Sequence, residues 1–459
     1  MTDAELSVLL SRIQFGLTIG FHYIFPPLNI GLGVLMVVME GLYIRTGRLV
    51  YKQLARFWAL NFGLMFALGV ASGVVMEFQF GTNWSNYSRF VGDVFGSALA
   101  AEGIFAFFLE SGFLGVVLFG WDRVRPKVHY LATILVALGA HFSAIWIVVA
   151  NSWQQTPAGS DWNAEHTRQV VTDFWRVIFN PSFLQRISHV FSAAWVAGAF
   201  LVLSVSAYYL LRRRHEEFAR AGMKIALTVA AVASLLQLAT GHASGVQVAQ
   251  YQPAKLAAFE AVFPKQEPAG MYLFGWPDVA NERVAYGIQI PGMLSWMVHG
   301  TTSKPVTGLL SFPREDWPPV VAVFQTYHAM VAIGVALILI TWLGVFFWWR
   351  GTLYQRRWLL WIFVFAVLGP VLANELGWFS AELGRQPWAV QGLLRTADAG
   401  SPSVPARSVI ASLAGFTVVY ALLLALFIYL LNEKIQHGPT AEMMAEPEHP
   451  AGVKEGHRA

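Results

Sequence analysis

Leu99-Ala-Ala-Glu102-Gly-Ile-Phe-Ala-Phe-Phe-Leu-Glu110-Ser-Gly-Phe-Leu-Gly115 sits in an apolar run, Phe95 to Trp121, that is long enough to cross a bilayer. It nevertheless carries two carboxylates. An ionised side chain at mid-membrane costs roughly 2.5–3.5 kcal/mol on insertion scales. Both acids must therefore be protonated, paired, bound to a metal, or turned toward a wet internal path. Eight positions of a regular helix return to within about 80° of the start, about 12 Å further along the axis. Two acids stacked on one side of a buried helix point to a proton route or a cofactor site. The plainer alternative is a pair of acids matched to basic residues on neighbouring helices for folding alone.

The rest of the chain reads the same way. It is 56% hydrophobic, only 13% charged, and has a mean hydropathy of +0.51, which places it among membrane proteins. Apolar runs of about 20 residues recur nine times, at 13–39, 57–77, 96–120, 128–150, 187–211, 221–239, 322–349, 358–379 and 408–431. The first run lacks a basic leader and a small-residue cleavage site, so it is read as a span. The links 41–56, 121–127, 212–220 and 350–357 hold 14 Lys and Arg in 40 positions, whereas the remaining links hold 12 in 164. The positive-inside rule then sets the N-terminus outside and the C-terminus in the cytoplasm. The polar tail from Asn432 is expected to be disordered. The net charge of +4 follows this topology and gives no sign of nucleic-acid binding.

Zero cysteines exclude iron–sulfur clusters, Cys-linked haem and disulfides. No glycine-rich phosphate loop and no internal repeat point to a nucleotide-driven pump or a secondary transporter. Redox chemistry is left to cofactors held by His, Met or carboxylate. With the expected topology, His22, Glu102, His189, Met330 and Glu382 fall on five helices at one depth in the outer half of the bilayer, and Glu110 near its middle. Scattered packing residues would not share a depth; haems set edge to edge would. Singly, each has a dull reading: a lone His as a hydrogen-bonded packing residue, Met330 as core filler. His141 is read as packing, and Glu40 and Glu77 as interfacial.

The surrounding motifs carry a resemblance. They are Ser11-Arg12-Ile-Gln14-Phe15 before His22, Met76-Glu77-Phe-Gln-Phe-Gly-Thr-Asn-Trp84, Ala101-Glu102-Gly103, Phe108-Leu109-Glu110-Ser111 and Ser143-Ala-Ile-Trp146 through Asn151. Lys255-Leu-Ala-Ala-Phe-Glu260 and Gly377-Trp378-Phe-Ser-Ala-Glu382-Leu-Gly-Arg385-Gln-Pro-Trp388 complete the set. Across residues 11–431 the chain resembles the haem-bearing subunit I of cytochrome bd quinol oxidases. The resemblance implies His189 and Met330 as axial ligands of a low-spin haem b, and Glu382 as ligand of a high-spin haem b. It implies His22 as ligand of the oxygen-binding haem, with Glu102 on or near its other side. Arg12 and Arg385 would neutralise propionates or iron-centred charge, and Trp378 would lie between haems. Lys255 and Glu260 would serve quinol, while Glu110 and Ser143 would relay protons toward Glu102. It also implies O2 as the second substrate, a second oxidase subunit, a small single-helix subunit as a further candidate, and the bacterial cytoplasmic membrane.

Two departures bear on those roles. The link 240–321 is short, as in the branch called cyanide-insensitive oxidases, where the oxygen-binding haem is haem d or a third haem b. His328 stands where better-known members have Arg, and His242 where they have an acid. The expected architecture is all-α, with nine membrane helices, eight in two four-helix bundles and one peripheral. Its parts are helices one to six (1–239), an extracytoplasmic quinol loop (240–321), helices seven to nine (322–431) and a tail (432–459). Charge is separated without pumping. A bc-type cytochrome b would need paired histidines on two helices, and only His129 and His141 come near; a haem–copper oxidase would need an adjacent His pair, absent here.

Overall fold

The structure, a computed structural model, describes residues 2–440, the side chains of 105–107 excepted. Among the described residues nine stretches are long and apolar enough to cross a membrane. The first stretch is built of α1 (Asp3–His22) and α2 (Phe25–Thr46), broken at Tyr23-Ile24, just ahead of Pro26 and Pro27. Proline at the start of α2 removes backbone donors that a continuing helix would use. α3 (Leu49–Thr82) returns antiparallel to both. α4 (Ser85–Ala101) and α5 (Phe108–Phe119) make one span around a π-helical segment, Glu102–Phe107. That wider turn closes i to i+5, so the 80° offset expected between Glu102 and Glu110 does not hold.

α6 (Pro126–Gln155) follows, then a two-stranded ribbon of β1 (Ser160–Trp162) and β2 (Gln169–Val171), and the short α7 (Phe174–Ile178). α8 (Phe183–Leu211) and α9 (Glu216–Tyr251) form the most extensively packed helix pair. α9 continues twelve residues past the expected boundary at 239. Its extra turns carry Gly241, His242, Ser244 and Gly245 along a cavity wall, so their polarity marks an internal space and not the end of the helix. The segment 252–319 is structured: α10 (Pro253–Phe259), the hairpin β3 (Met271–Asp278) and β4 (Arg283–Ile290), and α11 (Met293–His299). Leu256, Phe259, Phe263, Leu294, Val306 and Phe324 give it an apolar core shared with the next helix.

α12 (Val320–Trp349), α13 (Arg357–Ala366) and α14 (Leu368–Leu383) supply the next two spans. The turn after α14 carries β5 (Trp388–Val390), β6 (Leu394–Arg395) and α15 (Thr396–Ala399). α16 (Ala406–His437) is the last helix and runs six residues beyond the expected end at 431. The expectation of disorder for 441–459 lies outside the described residues.

Small residues let the helices approach closely. A Cβ on Gly31 of α2 would run into the carbonyl of Ala194 and the amide of Gly198 on α8. α16 is fastened to α1 along its length. Ser7 donates to the Val404 carbonyl (2.7 Å), Ser412 to Gln14 Oε1 (2.9 Å) and Tyr420 to Thr18 (3.2 Å), while Phe21 and Tyr420 stack at 4.6 Å. Glu40, expected at an interface, is buried: its carboxylate meets His129 Nδ1 at 2.7 Å and accepts from Thr133 at 2.6 Å. A carboxylate in lipid is tolerable only when satisfied in this way, and Glu40, inside α2, finds both partners on α6.

Candidate functional site: a cavity between the helices

One cavity of about 2190 Å³ runs between the helices. Drug-sized ligands occupy pockets of about 300–1,000 Å³, so this space suits more than one large planar group. All twelve residues singled out from the sequence line it: Arg12, His22, Glu102, Glu110, Ser143, His189, Lys255, Glu260, Met330, Trp378, Glu382 and Arg385.

His22 ends α1. Its Nδ1 lies 3.0 Å from Ser72 Oγ, and that hydroxyl already donates to the Leu68 carbonyl at 2.7 Å. Ser72 must then accept from His22, which leaves the lone pair on Nε2. His189 is held alike. Its Nδ1 meets Thr240 Oγ1 at 3.2 Å, and Thr240 donates to the Leu236 carbonyl at 2.8 Å. A second partner that fixes the tautomer is the usual support of a ligating imidazole. Gln237 Nε2 lies 3.0 Å from His189 Nε2, so ligation there needs Gln237 to turn aside.

Each of these candidates faces a glycine on a neighbouring helix. A Cβ would lie 3.2 Å from His22 Cε1 at Gly73, 3.3 Å from His189 Cε1 at Gly241, and 2.8 Å from Met330 Sδ at Gly377. The glycines make room for these three side chains. Their signal in the sequence was a lone Gly within an apolar helix, which is too common to read by itself.

Glu382 is fully engaged. Asn151 and Gln155 donate to Oε1 at 3.0 and 3.1 Å, Arg385 pairs with Oε2, and Arg186 lies 3.8 Å away while bonded to Asn151. By sequence, Arg186 lies just ahead of the apolar run 187–211 and is one of the twelve Lys and Arg of the remaining links. In the structure it turns inward, three residues before His189. Both Arg186 and Arg385 retain a buried Nε without a partner. Two arginines around one carboxylate leave excess positive charge, and burying it requires a further anion. Haem propionates have that charge.

Ser143 donates to Glu102 Oε1 at 2.6 Å. Glu110 is 7% exposed and packs on Gly139, one turn before Ser143 on α6. The acid pair and the serine thus share the α5–α6 seam. His141 is satisfied at both ring nitrogens, by the Ala137 carbonyl (2.7 Å) and the Trp195 indole (3.0 Å), in keeping with its reading as packing.

Lys255 and Glu260 do not form one unit. Lys255, 3% exposed, donates to Gln155 Oε1 at 2.8 Å, and burial followed by the nearby Arg186 pushes its pKa well below the usual lysine range. Glu260 faces α12 instead, 3.9 Å from His328. Burial pushes its carboxyl up to about 8.

Among the described residues, no group of three or more His, Cys, Asp or Glu could hold a bare metal ion. The candidate ligands stand singly on separate helices. Single axial ligands suit iron that arrives with its own four porphyrin nitrogens, so the residues present fit haem.

Known proteins share much of this sequence and its fold. The chain is 35% identical to the cytochrome bd-II ubiquinol oxidase subunit 1 of Escherichia coli K12, over 95% of this chain and 98% of that one. It is 38% identical to the cytochrome bd ubiquinol oxidase subunit 1 of Bacillus subtilis, over 94% of each. The structure of bd oxidase from Geobacillus thermodenitrificans superposes with a TM-score of 0.89 at 31% identity, covering 95% of this chain and 100% of that one. The family model for cytochrome bd terminal oxidase subunit I matches residues 10–439, and the chain belongs to that family.

Proposed function

We propose that this chain is the haem-bearing catalytic subunit of a quinol:oxygen oxidoreductase, working with a second oxidase subunit in the bacterial cytoplasmic membrane. The observation that carries the reading is the convergence of all twelve residues on one cavity. Bound haem supplies one-electron transfer and an iron that takes oxygen.

His189 and Met330 would be the residues that hold a low-spin haem b. Glu382 would ligate a high-spin haem b once Arg385 releases one of its oxygens, and Arg385 and Arg186 would then hold propionates. His22 would offer Nε2 to the oxygen-binding haem, which is haem d or, in the b-only alternative, a third haem b. Arg12 supplies a further cation to that wall, and Glu102, held by Ser143, stands ready to pass protons there. Glu110 receives them from the opposite, basic-loop side, which is read as cytoplasmic. Glu260 accepts a proton from quinol at the other end, and that proton leaves outside. Charge is separated by where protons are taken and released, without a pump.

The test is the enzyme purified with its second subunit. The expected result is quinol-driven oxygen uptake, with a pyridine haemochrome that gives the ratio of haem b to haem d. A preparation free of haem, or one that takes up no oxygen with quinol, overturns the proposal.

A further inference from the structure

The β3–β4 hairpin belongs to the segment expected outside the membrane, yet it runs down beside a span. Gln325 Nε2 donates to the Gly275 carbonyl at 2.7 Å, and His328 Nε2 lies 2.9 Å from the Tyr272 carbonyl. α12 has 30 residues, about 45 Å of helix, which matches a bilayer of about 40–45 Å with its headgroups. His328 comes eight positions after Val320, about 12 Å along the axis. The headgroup layer is only about 5–7 Å deep on each side. Tyr272 therefore lies level with the upper acyl chains, and Gly275 nearer the headgroups.

The side chains follow that depth. Residues 271–277 and 284–290 carry no charge. Asp278, Glu282 and Arg283 stand at the tip, where Asp278 pairs with Arg283 (3.6 Å) and Glu282 with Arg314 (3.4 Å). On the uncharged part Phe274, Trp276, Tyr286, Ile288 and Ile290 are exposed, Tyr286 to 92%, and none of the five lines the cavity. Phe274 and Ile288 are partners across the strands. A ribbon with one face in water alternates apolar with polar residues; this outward face carries aromatic and aliphatic groups instead. Trp and Tyr gather at membrane–water interfaces. Leu339 and Phe346, exposed further along α12, come eleven and eighteen positions after His328, within about 20° of it around the helix. The hairpin thus continues an apolar stripe of a membrane span.

We propose that the β3–β4 hairpin is a bilayer contact: Phe274, Trp276, Tyr286, Ile288 and Ile290 rest among the headgroups and upper acyl chains of the leaflet away from the basic loops, with the charged tip in water. Met271, Tyr272 and Leu273 of the same hairpin line the cavity. One hairpin therefore separates lipid from cavity, and an apolar-tailed quinol dissolved in that leaflet enters past it. The entrance rests on the quinol reading given above; the lipid contact does not.

The chain has no cysteine, so single labels are clean. The complete oxidase carrying Ile288→Cys, or Asn281→Cys at the tip, is labelled with a nitroxide and placed in phosphatidylethanolamine–phosphatidylglycerol nanodiscs. The same enzyme without either cysteine, treated alike, gives the background of the second subunit. Collision with oxygen, which concentrates in lipid, is compared with collision with a water-soluble nickel chelate. At 288 oxygen should exceed nickel several-fold, and at 281 the order should reverse. Nickel dominating at 288 means the hairpin stands in water, and exclusion of both reagents means protein covers it; either result overturns the proposal. For the entrance, Phe274→Gln with Ile288→Gln should lower kcat/KM several-fold for a quinol with a long isoprenoid tail and leave that for a tail-less quinol unchanged, at equal haem content. Equal effects on both quinols, or none on either, overturn the entrance. An unsubstituted enzyme that oxidises neither quinol fails the quinol reading instead, and the label at 288 still decides the lipid contact.

Discussion

At His189 and Met330 the chain commits an imidazole and a thioether to one wall of the cavity, each against a glycine that a methyl group would crowd. His189→Ala or Met330→Leu should therefore convert a six-coordinate haem b to high spin and abolish quinol oxidation, as read in the reduced-minus-oxidised and low-temperature spectra. Unchanged low-spin bands in both variants would remove them as ligands. The two acids of the π-containing span should fail differently. Glu110→Gln keeps shape and hydrogen bonding but carries no proton, so haems should assemble and reduce while turnover falls about a hundredfold or more, the usual scale of a lost proton-transfer group. Glu102→Ala removes the acceptor of the Ser143 hydrogen bond and should alter ligand binding at the oxygen site. Flow-flash oxidation of the reduced enzyme separates the two; wild-type proton uptake in an assembled Glu110→Gln enzyme sinks the relay. Residues of this kind were legible because an acid or a histidine inside an apolar run has few alternatives. Arg186 was not, since at the edge of such a run a loop charge and an inward-facing cation read alike.

Among the elements, the nine apolar windows correspond to nine candidate spans because about 20 apolar residues in a row have few other uses. What the windows miss is where a helix is polar for internal reasons. The end of α9 looks like loop by composition, yet its Gly, His and Ser line the cavity. The π-helical turn at Glu102–Phe107 is invisible in composition, because it changes which atoms bond without changing hydrophobicity. Helix contact depends on equally quiet features. Gly31→Ala would drive a methyl into the Ala194 carbonyl of α8. With overpacking usually costing about 1–3 kcal/mol and backbone harder to move than side chains, the midpoint of thermal inactivation should drop by several degrees. An unchanged midpoint would mean the α2–α8 seam can open without loss.

For the molecule as a whole, the family and the membrane character were readable from sequence, but the separate surroundings of Lys255 and Glu260 were not. Lys255 and Glu260 are five residues apart and look like a pair; burial sends one toward Glu382 and the other toward α12. Long-range partners of this sort leave no spacing pattern. The seam between α1 and α16 is a further case, joining residues about 400 positions apart, such as Thr18 and Tyr420. A chain ended before Ala406 would expose Gln14 to lipid without its Ser412 partner. It should insert yet accumulate at a small fraction of the normal level, measurable by immunoblot of membranes, and wild-type accumulation would show the seam to be dispensable.

That seam also fixes an order of events during synthesis. The first helix leaves the ribosome hundreds of residues before the last one exists, so its inward polar residues, Gln14 and Thr18, must wait in the membrane with half of their partners still untranslated. The earliest segment to be made is thus among the last to be finished. A nascent chain interrupted anywhere before α16 carries its own mark of incompleteness at its front end, where membrane quality-control proteases could recognise it.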